Sequence, residues 1–166
     1  MKNKLTQSIL MVCMGNICRS PTAEGVMQHR LQQAGLAGLV RVDSAGTHAY
    51  HIGEAPDPRS CQAARKRGYD LSVQRARQVS VADFEHFDLI LAADQRNMAA
   101  LKALCPPAAH ARLDFILAPL GDARLLEVPD PYYGGAQGFD TVLDLIEQAC
   151  DGWVAQLRQE LNQPRN

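Results

Sequence analysis

Residues 8–24 run Ser8-Ile9-Leu10-Met11-Val12-Cys13-Met14-Gly15-Asn16-Ile17-Cys18-Arg19-Ser20-Pro21-Thr22-Ala23-Glu24. Ser8 to Cys13 is an apolar run of strand length, which predicts a buried strand. Ser20-Pro21 then reads as a helix start, with the Ser as cap and the Pro at the first helical position. Ala23, Val26, Met27, Leu31 and Ala34 follow at helical spacing, and Gly35 ends the helix. Between strand and helix lies a short polar loop. Its Gly15 and Asn16 are residue types that tolerate a left-handed backbone.

Strand-length runs and helical patterns keep alternating beyond this unit. Val40 to Asp43 predicts a second strand that leads into Ser44-Ala45-Gly46, and the Pro/Gly-punctuated loop from Gly53 to Pro58 precedes a helix ending near Gly68. Asp88 to Ala93 is a third strand, with a helix from about Asp94 to Leu104, and Arg112 to Leu117 is a weaker fourth. After the loop Val128-Pro129-Asp130-Pro131-Tyr132-Tyr133-Gly134-Gly135 comes the strongest helix. Its stripe is Phe139, Val142, Leu143, Ile146, Ala149, Cys150, Trp153, Val154 and Leu157. The alternation predicts an α/β fold: one doubly wound domain over residues 1–166, a four-stranded parallel sheet with helices on both faces. Such sheets bind ligands beyond the carboxyl ends of their strands, where Cys13, Ser44, Ala93 and the Asp130 loop all fall.

The 166 residues fit one domain, and an apolar content of 46% supports a core without metal or disulfide staples. A net charge of -1 argues against a general nucleic-acid binder. Five scattered cysteines, an odd number, point to a reducing, cytoplasmic setting rather than a secreted disulfide framework. Lys2 and Lys4 before Ser8 to Val12 look superficially like a signal peptide. The apolar stretch is short and polar residues follow at once, so a strand is the better reading, and no run is long enough to span a bilayer. Cys13 and Cys18 have no second Cys/His pair and adjoin a cationic Arg19, so no metal is expected.

The loop has its own chemistry. Backbone N–H groups between a strand and a helix N-terminus can converge on an anion. Arg19 adds a planar, permanently charged fork, and the five residues between it and Cys13 wrap once around a phosphate-sized dianion. The same donors stabilise a thiolate, so Cys13 would be held as a nucleophile against the central atom. Alone, a cysteine and an arginine six positions apart would leave Cys13 read as a buried strand-end residue. The strand–loop–helix context reverses that balance.

Together with Asp43-Ser44-Ala45-Gly46-Thr47, Pro56-Asp57-Pro58-Arg59, Arg75-Ala76-Arg77-Gln78, Asp94 and Asp130-Pro131-Tyr132, residues 12–24 resemble the low-molecular-weight protein tyrosine phosphatases over nearly the whole chain. The resemblance implies the phosphotyrosine phosphatase I-like fold, no cofactor, and hydrolysis of phosphotyrosine through a phosphocysteine. Cys13 would be the nucleophile, Arg19 the phosphate clamp and Asp130 the general acid. Met14, Gly15, Asn16, Ile17, Cys18 and Ser20 would bind phosphate, Ser20 assisting departure of the phosphate from the thiol. Asn16 would hold the loop's shape above Ser44, and Cys18 would be the partner for a reversible disulfide with Cys13. Gln74 stands where relatives often carry a His in the network supporting the loop Asn. Tyr50 and Tyr132, with Tyr133 less clearly placed, would join Ile17 as walls of an aromatic pocket.

Other readings compete at particular residues. An Asp between prolines is ordinarily a turn residue, and Asp57 and Asp94 read as structural helix starts. His51 is a rim candidate. Arg59, Arg65, Lys66, Arg67, Arg75 and Arg77 read as a solvated basic face. A thiol-dependent arsenate reductase shares the Cys-x5-Arg loop but needs further cysteines after the third strand, where Cys105 is alone. A protein arginine phosphatase carries Thr at the position of Ile17. A module that only binds phosphotyrosine needs neither nucleophile nor acid. The expected partner is a tyrosine-phosphorylated protein, a tyrosine kinase among the candidates, and the expected state is a monomer with weak self-association through the tyrosine rim.

Overall fold

The computed structural model describes residues 6–162; Lys2 and Lys4 of the leader-like start lie outside them. β1 (Gln7–Cys13) is central. It pairs in parallel with β2 (Val40–Gly46) on one side and β3 (Leu89–Ala92) on the other, and β4 (Arg112–Phe115) adds in parallel beyond β3. The order β2-β1-β3-β4 reverses direction at β1, so the crevice of the fold opens at the carboxyl ends of β1 and β3. Cys13 is the last residue of β1.

Side chains alternate across a strand, and β1 uses both faces. Ile9, Met11 and Cys13 pack with α1 (Arg19–Gln33), α2 (Pro58–Lys66) and α5 (Ala136–Asn162). Leu10 and Val12 pack with Phe84 of a short α3 (Asp83–His86) and with Met98 and Leu101 of α4 (Gln95–Leu104). The predicted stripe of α5 is buried except for Val154, which is partly exposed. α1 ends where the sequence places its end, with Gly35 at φ 74.

Local details differ from the sequence reading: β3 and β4 are each two residues shorter than read, at Leu89–Ala92 and Arg112–Phe115. α1 begins at Arg19 rather than Pro21, Cys18 rather than Ser20 stands at its cap, without a side-chain hydrogen bond, and Pro21 is the third helical residue. The loop enters helical geometry directly, and Pro is tolerated there because first-turn N–H groups have no intrahelical partner. β2 runs on to Gly46, three residues past Asp43, because its parallel register carries Cys13 opposite Gly46. α3, at four residues, is too short to show a helical period in sequence.

Candidate active site

Beyond the carboxyl end of β1 lies a cleft of about 330 Å³, walled by Cys13, Met14, Gly15, Ile17, Cys18, Arg19, Tyr50, His51, Asp130, Tyr132 and Tyr133. Its floor is the turn from Cys13 to Arg19. Among the described residues, none of the N–H groups of Met14 through Cys18 donates to a protein acceptor, so the turn offers a set of open donors.

One residue fixes that curl. Asn16 has φ 57, the left-handed region that asparagine enters more readily than most residues. Its side chain is buried and fully engaged. Oδ1 accepts the N–H of Arg77 at 3.0 Å, and Nδ2 donates to Ser20 Oγ at 2.8 Å and Ser44 Oγ at 3.0 Å. Ser20 Oγ lies 3.0 Å from Cys13 Sγ. Since Ser20 already accepts from Asn16, its own proton is available to the sulfur. Gly46 lies under the turn. A Cβ there would meet the Met14 carbonyl oxygen at 2.7 Å, so the close approach of β2 to the loop requires glycine.

Arg19 is 3% exposed. Its NH1 donates to Asp94 Oδ2 at 2.7 Å and to the Val128 carbonyl at 3.1 Å. Burial works against its charge, but Cys13, Asp94 and Asp130 around it outweigh burial and keep it protonated. NH2 lies 3.8 Å from Asp130 Oδ2 across the cleft. Asp130 is exposed, and its Oδ1 accepts the N–H of Tyr132 at 3.0 Å. The Asp130 loop is hung from the sheet by the Val128 N–H on the Ala93 carbonyl at 2.7 Å.

Tyr50, Tyr132 and Tyr133 all reach the cleft. Tyr50 stacks on His48 at 5.2 Å, and Tyr132 meets Tyr133 edge to face at 4.9 Å. Cys18 is buried beside Ser60, and burial pushes its thiol up to about 12, so it is a neutral thiol at ordinary pH.

Several residues sit differently from the sequence reading. Gln74 does not reach Asn16. Its Nε2 donates to the Pro21 carbonyl at 3.0 Å, while its buried Oε1 has no partner, and Arg77's backbone takes the Asn16 oxygen instead. Asp94 caps α4 through the Asn97 N–H at 2.8 Å, as a structural residue would, but its other oxygen holds Arg19. The basic stretch is not one solvated face: Arg67 pairs with Asp140, Asp144 and Glu147, and Arg77 with Asp43 and Asp83. His51 lines the cleft and pairs with Glu54 at 2.6 Å. The hold of Asp94 on Arg19 spans 75 residues, and nothing in the local sequence signals it.

The sequence model of the family described as low molecular weight phosphotyrosine protein phosphatase matches residues 8–163. A low molecular weight protein-tyrosine-phosphatase of Streptomyces coelicolor is 42% identical over 160 residues, which cover 95% of this chain and 97% of that one. The crystal structure of a protein tyrosine phosphatase from Entamoeba histolytica superposes with a TM-score of 0.89 at 38% identity, covering 93% of this chain and 99% of that one. A Drosophila arginine phosphatase shares the architecture at a TM-score of 0.85 and 28% identity, covering 90% of this chain and 98% of that one. With a four-stranded parallel sheet, a Cys-to-Arg turn at the end of its first strand, and matches of this extent, the chain belongs to the low molecular weight phosphotyrosine protein phosphatase family.

Proposed function

We propose that this chain hydrolyses phosphotyrosine in proteins through a phosphocysteine, with Cys13 as nucleophile, Arg19 as phosphate clamp and Asp130 as general acid and base. The observation that carries the reading is the convergence of Cys13, Arg19 and Asp130 on one cleft, Arg19 NH2 being 3.8 Å from Asp130 Oδ2. The Cys13 thiolate attacks phosphorus and an S–P bond forms as the P–O bond to tyrosine breaks. Asp130 gives its proton to the departing phenolate oxygen, whose conjugate acid has a pKa of about 10 and therefore gains from protonation. Water then attacks the phosphocysteine, Asp130 takes a proton from it, and inorganic phosphate leaves with the thiolate regenerated. The open N–H groups of residues 14–18 and the free edge of Arg19 meet the equatorial oxygens in both steps, and the Ser20 hydroxyl steadies the leaving thiolate.

Ile17 and the three tyrosines favour an aryl phosphate over phosphoarginine, since Ile17 offers an apolar wall and no hydroxyl. Cys105 of the arsenate reductase alternative is not among the residues lining the cleft. A tyrosine kinase among the substrates, a monomer with weak association through the tyrosine rim, and a reducing cytoplasm belong to the same reading; all five cysteines are unpaired. Cys18 would trap an oxidised Cys13 as a disulfide. Loss of reductant-reversible recovery from peroxide in Cys18→Ser is the check on that step.

The deciding experiment compares phosphotyrosine and phosphoarginine peptides, with and without vanadate, on wild type, Cys13→Ser and Asp130→Ala. Cys13→Ser should be inactive. Asp130→Ala should lose about 10²- to 10⁴-fold on phosphotyrosine with the fold intact. An active Cys13→Ser removes the central assignment, and preference for phosphoarginine removes the substrate class.

A further inference from the structure

Arg59 stands between the phosphate loop and the Asp130 loop and is tied to both. Its Nε and NH2 meet the two oxygens of Asp57 at 3.1 and 2.9 Å, a bidentate pair that locks the guanidinium plane. Asp57 is itself anchored to the phosphate loop, because its N–H donates to the Ile17 carbonyl at 2.8 Å, and it caps α2 by accepting the Arg59 N–H at 2.8 Å. The fixed plane of Arg59 then lies 5.4 Å from the Tyr132 ring and 4.8 Å from the Phe139 ring at the start of α5. Tyr132 in turn donates its N–H to Asp130 Oδ1. A connected path therefore runs from Ile17 through Asp57, Arg59 and Tyr132 to the carboxyl group of Asp130. Arg67 and Arg77 of the same basic stretch are instead occupied by carboxylates elsewhere.

We infer that Arg59 is a positioning residue for Asp130, pinning the Asp130–Tyr133 loop to the phosphate loop so that the acid stays in line with the leaving oxygen. The inference rests on the proposed role of Asp130 as general acid. Its consequence is selective: loss of Arg59 should matter where protonation of the leaving group matters, and little where it does not.

The experiment measures kcat/KM on aryl phosphates of graded leaving-group pKa, from dinitrophenyl to phenyl phosphate, for wild type, Arg59→Ala, Asp130→Ala and the double variant. Arg59→Ala should lose about tenfold on phenyl phosphate, in keeping with the cost of a misplaced catalytic group, and under about twofold on dinitrophenyl phosphate. In the Asp130→Ala background the same substitution should cost nothing further, because the group it positions is gone. Arg59→Lys, which keeps the charge on Asp57 but lacks the flat face, should recover only part of the loss. An equal loss on all substrates, or an undiminished loss in the Asp130→Ala background, overturns the inference and leaves Arg59 a structural ion pair. If Asp130→Ala itself shows no dependence on the leaving group, the acid assignment fails and the inference falls with it.

Discussion

At the scale of single residues, the site depends on side chains whose surroundings set their charge. Glu24 on α1 is 8% exposed, and burial pushes its carboxyl up to about 7, an effect that the Ser44 hydroxyl and the Arg77 charge only partly offset and that Asp43 reinforces. Its folded value lies above the unfolded one near 4.3, so the folded chain holds the proton more tightly. Stability from this group is therefore complete at acid pH and declines as pH rises through about 7. Glu24→Gln, which is neutral at every pH, should match wild type near pH 4 and exceed it at pH 8 by on the order of 3 kcal/mol. Urea unfolding at the two pH values is the measurement, and a constant difference between the proteins would show that Glu24 does not titrate in this range. Ser44, whose hydroxyl eases that shift, also accepts from Asn16 Nδ2 at 3.0 Å, so the phosphate loop lies near a carboxyl whose charge changes near neutrality.

At the scale of elements, the strand, turn and helix over residues 7–33 were legible because each signal is local: an apolar run, residues suited to a left-handed turn, and a helical stripe ended by Gly35. The contacts that complete the site were not. Asp94 reaches Arg19, and Arg77 reaches Asn16, across 75 and 61 residues, and no periodicity encodes such pairs. Gln74 shows the opposite case: likeness to relatives placed it beside Asn16, yet its amide holds the Pro21 carbonyl. Gly46 joins the two levels. Its Cβ position lies 2.7 Å from the Met14 carbonyl and 3.2 Å from the Asn16 nitrogen, both backbone atoms that cannot swing aside. Gly46→Ala should push the turn off β2, lowering kcat/KM by about tenfold or more and stability by roughly 1–3 kcal/mol. Steady-state kinetics beside thermal unfolding will show this, and normal values in both would mean the turn yields more easily than its packing implies.

At the scale of the whole molecule, the cleft and the far end of the sheet are joined by one strand. β1 carries Cys13 at its carboxyl end, while Gln7 at its amino end shares a smaller cavity with Trp153, Asp88 and His110. Trp153 is the only tryptophan, and its indole N–H donates to the Ile116 carbonyl at 2.8 Å, so its fluorescence reports whether α5 is docked on the sheet. A ligand confined to the phosphate loop touches none of these groups. If β1 and the helices packed on it unfold as one cooperative unit, that ligand must nonetheless stabilise the region around Trp153. Inorganic phosphate at 100 times its dissociation constant would add about 2.7 kcal/mol, a rise in Tm of roughly 5–10 °C for a chain of this size. The same rise should appear in Trp153 fluorescence and in far-ultraviolet circular dichroism, and it should vanish in Arg19→Ala, which lacks the clamp. A shift seen by circular dichroism but absent at Trp153 would mean that the phosphate loop and its helix melt apart from α5. Equal shifts mean that the phosphate loop and α5 unfold together as one cooperative unit.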